Sequence, residues 1–583
     1  MSSCTRLLYF VKHRSLWTHV RRKVTTWSPV GAAFNAKPQR RPNLVEKNVA
    51  ATETALRNTR RLVDKVISGP SGVETVESFD QLSDELCKVA DLADFVKVAH
   101  PDPAFREAAE KSCIEIGTNP DTVSQLDPDS RRVAELFMFD FEISGIHLDE
   151  KLRKEAVALH VKLLDLNNEF LVNSHQPNRI ARSAIPEHLH LHFASEGSFI
   201  QVGDYTLTPP MTWYVREIAY RIYLYPNADL MKCLEELLKC RYKMAKLVGY
   251  ESYAHRALKG TMAKTPETVM SFLQLLTDKL SDKTAKDFTM MSNMKKKLNP
   301  LNAELMPWDH PYLSGVLRAE RYNIEPSLYS PYFSLGACME GLNHLFSQLY
   351  GVSLMSEQPS TGEVWNEDVR KLAVVHETEG LFGYIYCDFF QRQNKPHQDC
   401  HFTIRGGRWL QETGQYQLPV VVLMLRTRCA TDFAEVPSIL MEYFASDYRV
   451  PLPKSMVARL CESKKVCGAA DTQLQIFYAV LDQIYHSQPQ NRSTTEILQE
   501  MQNKFYGLPY TPNTAWQQRF SHLIGYGAKY YSYLMSRAVA SMVWKQCFVQ
   551  DPLNRQPTME EFVDALVSEL NLNFETFIMD SES

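Results

Sequence analysis

The sequence predicts a mainly α-helical protein with one small β-sheet near its middle. Apolar residues recur at three- and four-residue spacings in several stretches of residues 149–349 and again beyond residue 431, which is helical patterning. Short runs rich in β-branched and aromatic residues crowd instead into residues 372–425, which is strand patterning. At 583 residues, 44% hydrophobic and 23% charged, the chain has globular composition and room for two or more domains or one large two-lobed fold.

Residues 1–45 carry nine Lys or Arg and no acid, mixed with Ser, Thr, Leu, Trp and Phe but lacking the continuous apolar core of a secretory signal. That is the make-up of a mitochondrial transit peptide; a basic, unfolded arm is the alternative. Without these nine charges the body holds 55 basic against 68 acidic residues, a balance that suits cationic peptides. The 12 cysteines show no paired spacing and read as reduced thiols of an intracellular compartment.

From Asp149, the residues Leu152, Ala156, Leu159, Leu163, Leu166 and Phe170 form one helical stripe, with Lys154, Glu155 and Lys162 off it. Similar periodicity spans Met231 to Val248, Thr265 to Leu280 and Ser334 to Leu349. Thr265-Pro266-Glu267 places an N-cap residue, a first-turn proline and an acid in the order a helix start requires. Strands are expected at Leu372 to Val375, Gly383 to Phe390, Cys400 to Ile404 and Leu418 to Leu425. A domain boundary is expected near residues 245–265.

Several function classes are excluded. No apolar run is long enough to span a bilayer, and nothing resembles a phosphate-binding loop, a Rossmann glycine set, a G-x-S-x-G elbow or a nucleic-acid-binding composition. His376-Glu377-Thr378-Glu379-Gly380 begins like a zinc-binding H-E-x-x-H but has glycine at the last position, and reads as a turn between two strands. His397 and His401 are four apart, yet Pro396 precedes them; as a metal pair they are weak.

Two constellations carry chemistry. In Thr431 to Glu442, a helix capped by Asp432 places Asp432, Glu435 and Glu442 on one face, so that Glu435 can serve as a hard oxygen ligand to zinc with its neighbours orienting it. On spacing alone a capped surface helix with solvated acids is the stronger reading. In His522 to Tyr533, a helix would put Tyr526, Tyr530 and Tyr533 at i, i+4 and i+7, three phenols able to donate hydrogen bonds to an oxyanion. Gly525 and Gly527 would let the segment flex; an aromatic core stripe is the alternative.

Together with Trp365 to Arg370, Gly383 to Arg392 and His397 to Gly407, these segments resemble the thimet-oligopeptidase-like zinc metallopeptidases, peptidase family M3. The basic N-terminus favours that family's mitochondrial branch, in the matrix. The resemblance implies a two-lobed helical ellipsoid with a deep channel and a small β-sheet in the catalytic lobe. It also implies a monomer acting on unfolded N-terminal presequence peptides, removing an octapeptide from imported precursors after a first processing cut. On this reading residues 1–45 are the transit peptide, 46–250 an N-terminal helical region and 251–583 an incomplete catalytic region. Glu435 matches the third zinc ligand, with Asp432 and Glu442 behind it. Tyr526 and Tyr533 match phenols that hold the oxyanion, and His522 and Tyr530 lie in the same substrate-binding strip.

The departure from the family lies at one place. None of the 17 histidines sits in an H-E-x-x-H, and five residues, Arg426 to Ala430, separate the Val420 to Leu425 strand from Thr431. Two metal ligands and the general base are therefore missing, which leaves zinc without its site and implies a catalytically inactive chain. A non-catalytic peptide-binding form, or an unstable product of exon omission, are the alternatives.

Overall fold

A computed structural model of the chain describes residues 142–143, 145, 148–203, 213–322, 335–360, 363–390, 400–410, 414–424, 454–489 and 491–545. In chain order the principal elements begin with α1 (Glu150–Ser174), the short strands β1 (Asn178–Ala181), β2 (Ala194–Glu196) and β3 (Phe199–Val202), then α2 (Trp213–Tyr223), α3 (Ala228–Leu247) and α4 (Tyr253–Leu258). There follow α5 (Pro266–Leu298), α6 (His310–Tyr322), α7 (Leu335–Tyr350), and β4 (Val352–Glu357), β5 (Arg370–His376) and β6 (Gly380–Cys387). The strands β7 (Cys400–Arg405), β8 (Arg408–Leu410), β9 (Gln415–Gln417) and β10 (Val420–Met424) precede α8 (Lys454–Lys465), α9 (Gly468–His486), α10 (Thr494–Met501), the short α11 (His522–Gly525) and α12 (Ser532–Val543).

The mainly helical expectation holds, and its local reasons are visible. The α1 stripe buries Ala156, Leu163 and Phe170 while Lys154, Glu155 and Lys162 stay exposed. Asp149 caps it by accepting the amide protons of Lys151 and Leu152 at 2.9 and 3.0 Å. At α5 the Thr265 hydroxyl accepts from the Thr268 amide and Pro266 occupies the first turn, but the helix runs on to Leu298, well past the expected Leu280. No helix among the described residues is long and apolar enough to cross a membrane.

The expected small sheet is present, and two further short sheets accompany it among the described residues. A five-stranded sheet has the order β4-β5-β6-β10-β7, with β10 parallel to β6 and antiparallel to β7. A three-stranded antiparallel sheet is formed by β1, β3 and β2, and β8 pairs with β9 as a ribbon. These extra strands are three or four residues long, too short for periodicity to announce, and long-range pairing rather than local propensity holds them. His376 to Gly380 is the expected β5–β6 turn; Gly380 takes φ +80° and His376 Nδ1 accepts from the Glu379 amide at 3.2 Å.

The chain divides into two compact units that do not follow chain order: residues 1–157 with 342–428, and 158–341 with 429–583. Residues on both sides of 245–265 lie in the second unit. The first unit contains the five-stranded sheet, whose small core joins Trp365, Val369, Tyr386 and Val422. In the second, α5 packs along α9, and Phe272, Leu273, Ile476, Val480, Leu523 and Tyr531 share one large core. That core positions the tyrosine segment.

Candidate functional site

The residues from His522 to Tyr533 do not form the continuous helix expected of them. The helix α11 stops at Gly525, Ala528 adopts a left-handed backbone with φ +63°, and α12 begins only at Ser532. Gly525 and Gly527 weaken helix propagation, and a left-handed alanine costs about 1–2 kcal/mol, so the turn persists only where its surroundings over-determine it.

Those surroundings come from α9 and α3. Asp482, 1% exposed, accepts the Ala528 amide on Oδ1 and the Tyr530 amide on Oδ2, each at 2.9 Å. The Gln483 side chain donates to the Ala528 carbonyl at 2.6 Å, so both polar backbone groups of the strained residue are satisfied. Before the turn, the buried Arg241 guanidinium donates to the carbonyls of Leu523 and Ile524. His486 lies between the two sides: its Nε2 is 2.7 Å from Arg241 Nη1, and its Nδ1 is 2.8 Å from the Asp482 backbone carbonyl and 3.0 Å from Asp482 Oδ1. Guanidinium can only donate, so Nε2 accepts and the ring proton sits on Nδ1, which donates to the Asp482 backbone carbonyl.

The break brings the four predicted strip residues together. Ring centroids are 5.6 Å apart for Tyr526 and Tyr533, 5.2 Å for Tyr530 and Tyr533, 5.1 Å for His522 and Tyr530, and 5.8 Å for His522 and Tyr533. Tyr526, Tyr533 and His522 are half-buried, while Tyr530 is buried and donates to Gln475 Oε1 at 2.7 Å. Tyr526 and Tyr533 are thus half-buried members of an aromatic cluster that includes the buried Tyr530. Gly527 is not a free hinge: it is buried, and a Cβ there would lie 2.5 Å from Arg241 Nη1.

Tyr253 lies among the cations Arg241, Arg256 and Lys529 and the Asp482 carboxylate. The Tyr253 ring stacks obliquely 5.2 Å from His486, with the Arg241 guanidinium 5.0 Å from its centroid. Burial raises its phenol, but Arg241, Arg256 and Lys529 outweigh that and hold it below the ordinary tyrosine value.

Glu435, Asp432 and Glu442 lie outside the described residues, as does His397; His401 lies on β7. Among the described residues, no three or more His, Cys, Asp or Glu are grouped to hold a metal. The zinc that the family resemblance implies does not fit the donor set in the sequence, where Glu435 has no H-E-x-x-H to complete it.

Sequence reasoning missed Arg241, Asp482, Gln483 and His486. A signal existed: Asp482 and Gln483 interrupt the otherwise apolar run from Ile476 to Tyr485, and His486 follows Asp482 at i+4, so these polar groups must find buried partners. Which partners was not readable, because Arg241 is far away in the chain.

The profile of peptidase family M3 matches residues 213–426 and 424–566. The chain is 57% identical over 682 aligned positions to the mitochondrial intermediate peptidase of Homo sapiens, covering 96% of this chain and 95% of that one. It is 30% identical to the mitochondrial intermediate peptidase of Coccidioides immitis, over 85% of this chain and 79% of the relative. A solved structure named for oligoendopeptidase F superposes with a TM-score of 0.51 at 12% identity, covering 94% of this chain and 95% of the other, a likeness of fold.

Proposed function

This chain belongs to peptidase family M3, and we propose that it is a catalytically inactive form of a mitochondrial peptidase that removes an N-terminal octapeptide from imported precursors. One observation carries the reading. The two family matches meet at residues 424–426, where β10 ends, and the H-E-x-x-H that active relatives need is nowhere in the sequence. The human relative aligns over 682 positions, more than the 583 residues of this chain, so that relative holds residues with no counterpart here. Without the two histidines and the adjacent glutamate there is no site to activate water at neutral pH and no general base to take its proton. Phenols at Tyr526 and Tyr533 stabilise charge that develops in hydrolysis; they do not start it.

The test is zinc content and octapeptide release by purified full-length protein, with and without chelator. Neither zinc nor release is expected. Stoichiometric zinc together with chelator-sensitive cleavage would overturn the inactive reading.

A second reading is favoured by the clustered rings of His522, Tyr526, Tyr530 and Tyr533: the chain binds unfolded presequence peptides without cutting them. The acid-free first 45 residues and the relatives' name support a mitochondrial, matrix location in which such peptides arise. Saturable binding of a precursor-like peptide, weakened by Tyr526→Phe or Tyr533→Phe, is expected. A folded protein that binds no such peptide would sink this reading.

A further inference from the structure

We propose that Asp482 is a positioning residue for Tyr526 and Tyr533, an inference that rests on the reading of these tyrosines as a peptide-binding surface. Asp482 lies on α9, and both of its carboxylate oxygens are spent on the amides of Ala528 and Tyr530. Those two bonds hold the amides of the left-handed Ala528 and of Tyr530 in the turn between α11 and α12. His486, whose Nδ1 donates to the Asp482 backbone carbonyl and whose Nε2 accepts from Arg241, links the same residue to Arg241, which grips the Leu523 and Ile524 carbonyls on the other flank. Tyr526 lies between the two grips, and Tyr533 follows directly after the second.

A buried charged relay is a poor stabiliser compared with well-packed apolar side chains, because desolvation offsets most of its Coulomb energy. Its directional bonds instead select one backbone geometry. Without them the segment has no reason to hold a left-handed alanine, and the helical alternative would carry the tyrosines round to different directions. The relay therefore sets where the two half-buried phenols point.

The experiment uses the full chain with 3-fluorotyrosine replacing Tyr526 or Tyr533 singly, and Tyr312 as a control position. Asp482→Asn is nearly isosteric but presents an NH₂ group to one of the two amides. We expect it to shift or broaden the fluorine resonances at 526 and 533 while that at 312 stays. We also expect affinity for a precursor-like octapeptide to fall about tenfold, and Asp482→Asn with Tyr533→Phe to lose much less than the product of the single effects, the coupling expected of groups acting through one another. Asp482→Glu, which keeps the charge at a longer reach, should recover part of both signals and serves if the amide variant does not fold. A lowered melting temperature with unmoved resonances at 526 and 533 would overturn the proposal. So would moved resonances with unchanged affinity. If the unmodified chain binds no peptide, the peptide-binding reading fails while the resonances still decide whether Asp482 positions the tyrosines.

Discussion

Gly527 packs against Arg241 so closely that a side-chain carbon on the glycine would stand 2.5 Å from Nη1 and 3.0 Å from Cζ. Arg241 cannot easily yield, because its guanidinium is bonded to His486 and to the Ile524 carbonyl. Gly527→Ala is therefore expected to destabilise the protein by about 1–3 kcal/mol, as overpacking a filled site does. At Gly525 the same added carbon meets nothing within 4 Å, so Gly525→Ala should stay within about 0.5 kcal/mol of the parent. Thermal melts of the two variants side by side check this; equal effects would contradict it.

A buried ion cluster should dominate another region of the same unit. Asp309 is fully buried and accepts from Arg216 at 3.1 Å, from Lys295 at 2.6 Å and from the Met306 amide at 3.1 Å. Asp309→Asn leaves two buried cations without their counter-charge, a loss of about 3–5 kcal/mol. The denaturant midpoint should drop accordingly, and an unchanged midpoint would mean that the cluster relaxes into water.

Arg519 ties together helix ends that are remote from it in sequence. It donates to the Tyr223 carbonyl at the end of α2, to the Ser174 carbonyl at the end of α1, and to the Gln176 carbonyl, at distances from 2.6 to 3.1 Å. Replacing it with methionine keeps much of the packing but removes the donors, at a cost of about 2–4 kcal/mol for several carbonyls left short of partners. Lysine, with no planar fork, should recover only part of this. Equilibrium unfolding of Arg519→Met and Arg519→Lys is the measurement.

Acid sensitivity should come in part from Glu363. Burial raises its carboxyl, but hydrogen bonds from Tyr386, the Ser360 amide and Lys371 outweigh it and hold the group at about 2. A carboxylate depressed in the folded state contributes stability above its ordinary value, and that contribution is lost as pH falls from about 4.5 towards 2. Glu363→Gln should lower stability at neutral pH and flatten this part of the acid limb. A melting-temperature series between pH 2 and 6 reads both; a parallel downward offset across the range would contradict the assignment.

Much of the architecture was legible in the sequence. The α1 stripe, the Thr265-Pro266 start of α5 and four strands of the five-stranded sheet follow from spacings of three, four and two, which are properties of neighbouring residues. The strand β4 was not foreseen, since Val352 to Glu357 follows a helix directly and shows little alternation; pairing with β5 makes it a strand. The companionship of Tyr526, Tyr530 and Tyr533 was foreseen through helical spacing, and that of His522 through the family resemblance, yet a broken helix achieves it.

What the sequence determined by itself was chemical identity: family membership, the acid-free start and the missing H-E-x-x-H are facts about which residues exist, and no conformation can add the absent ligands. What only the tertiary structure decided was the turn at Ala528 and the direction of the phenols around it. A left-handed alanine is unfavourable in isolation, and the groups that make it favourable, Asp482 and Gln483 with His486 and Arg241 behind them, come from helices far away in the chain. Local sequence carries the strain, and only the folded core supplies the bonds that offset it.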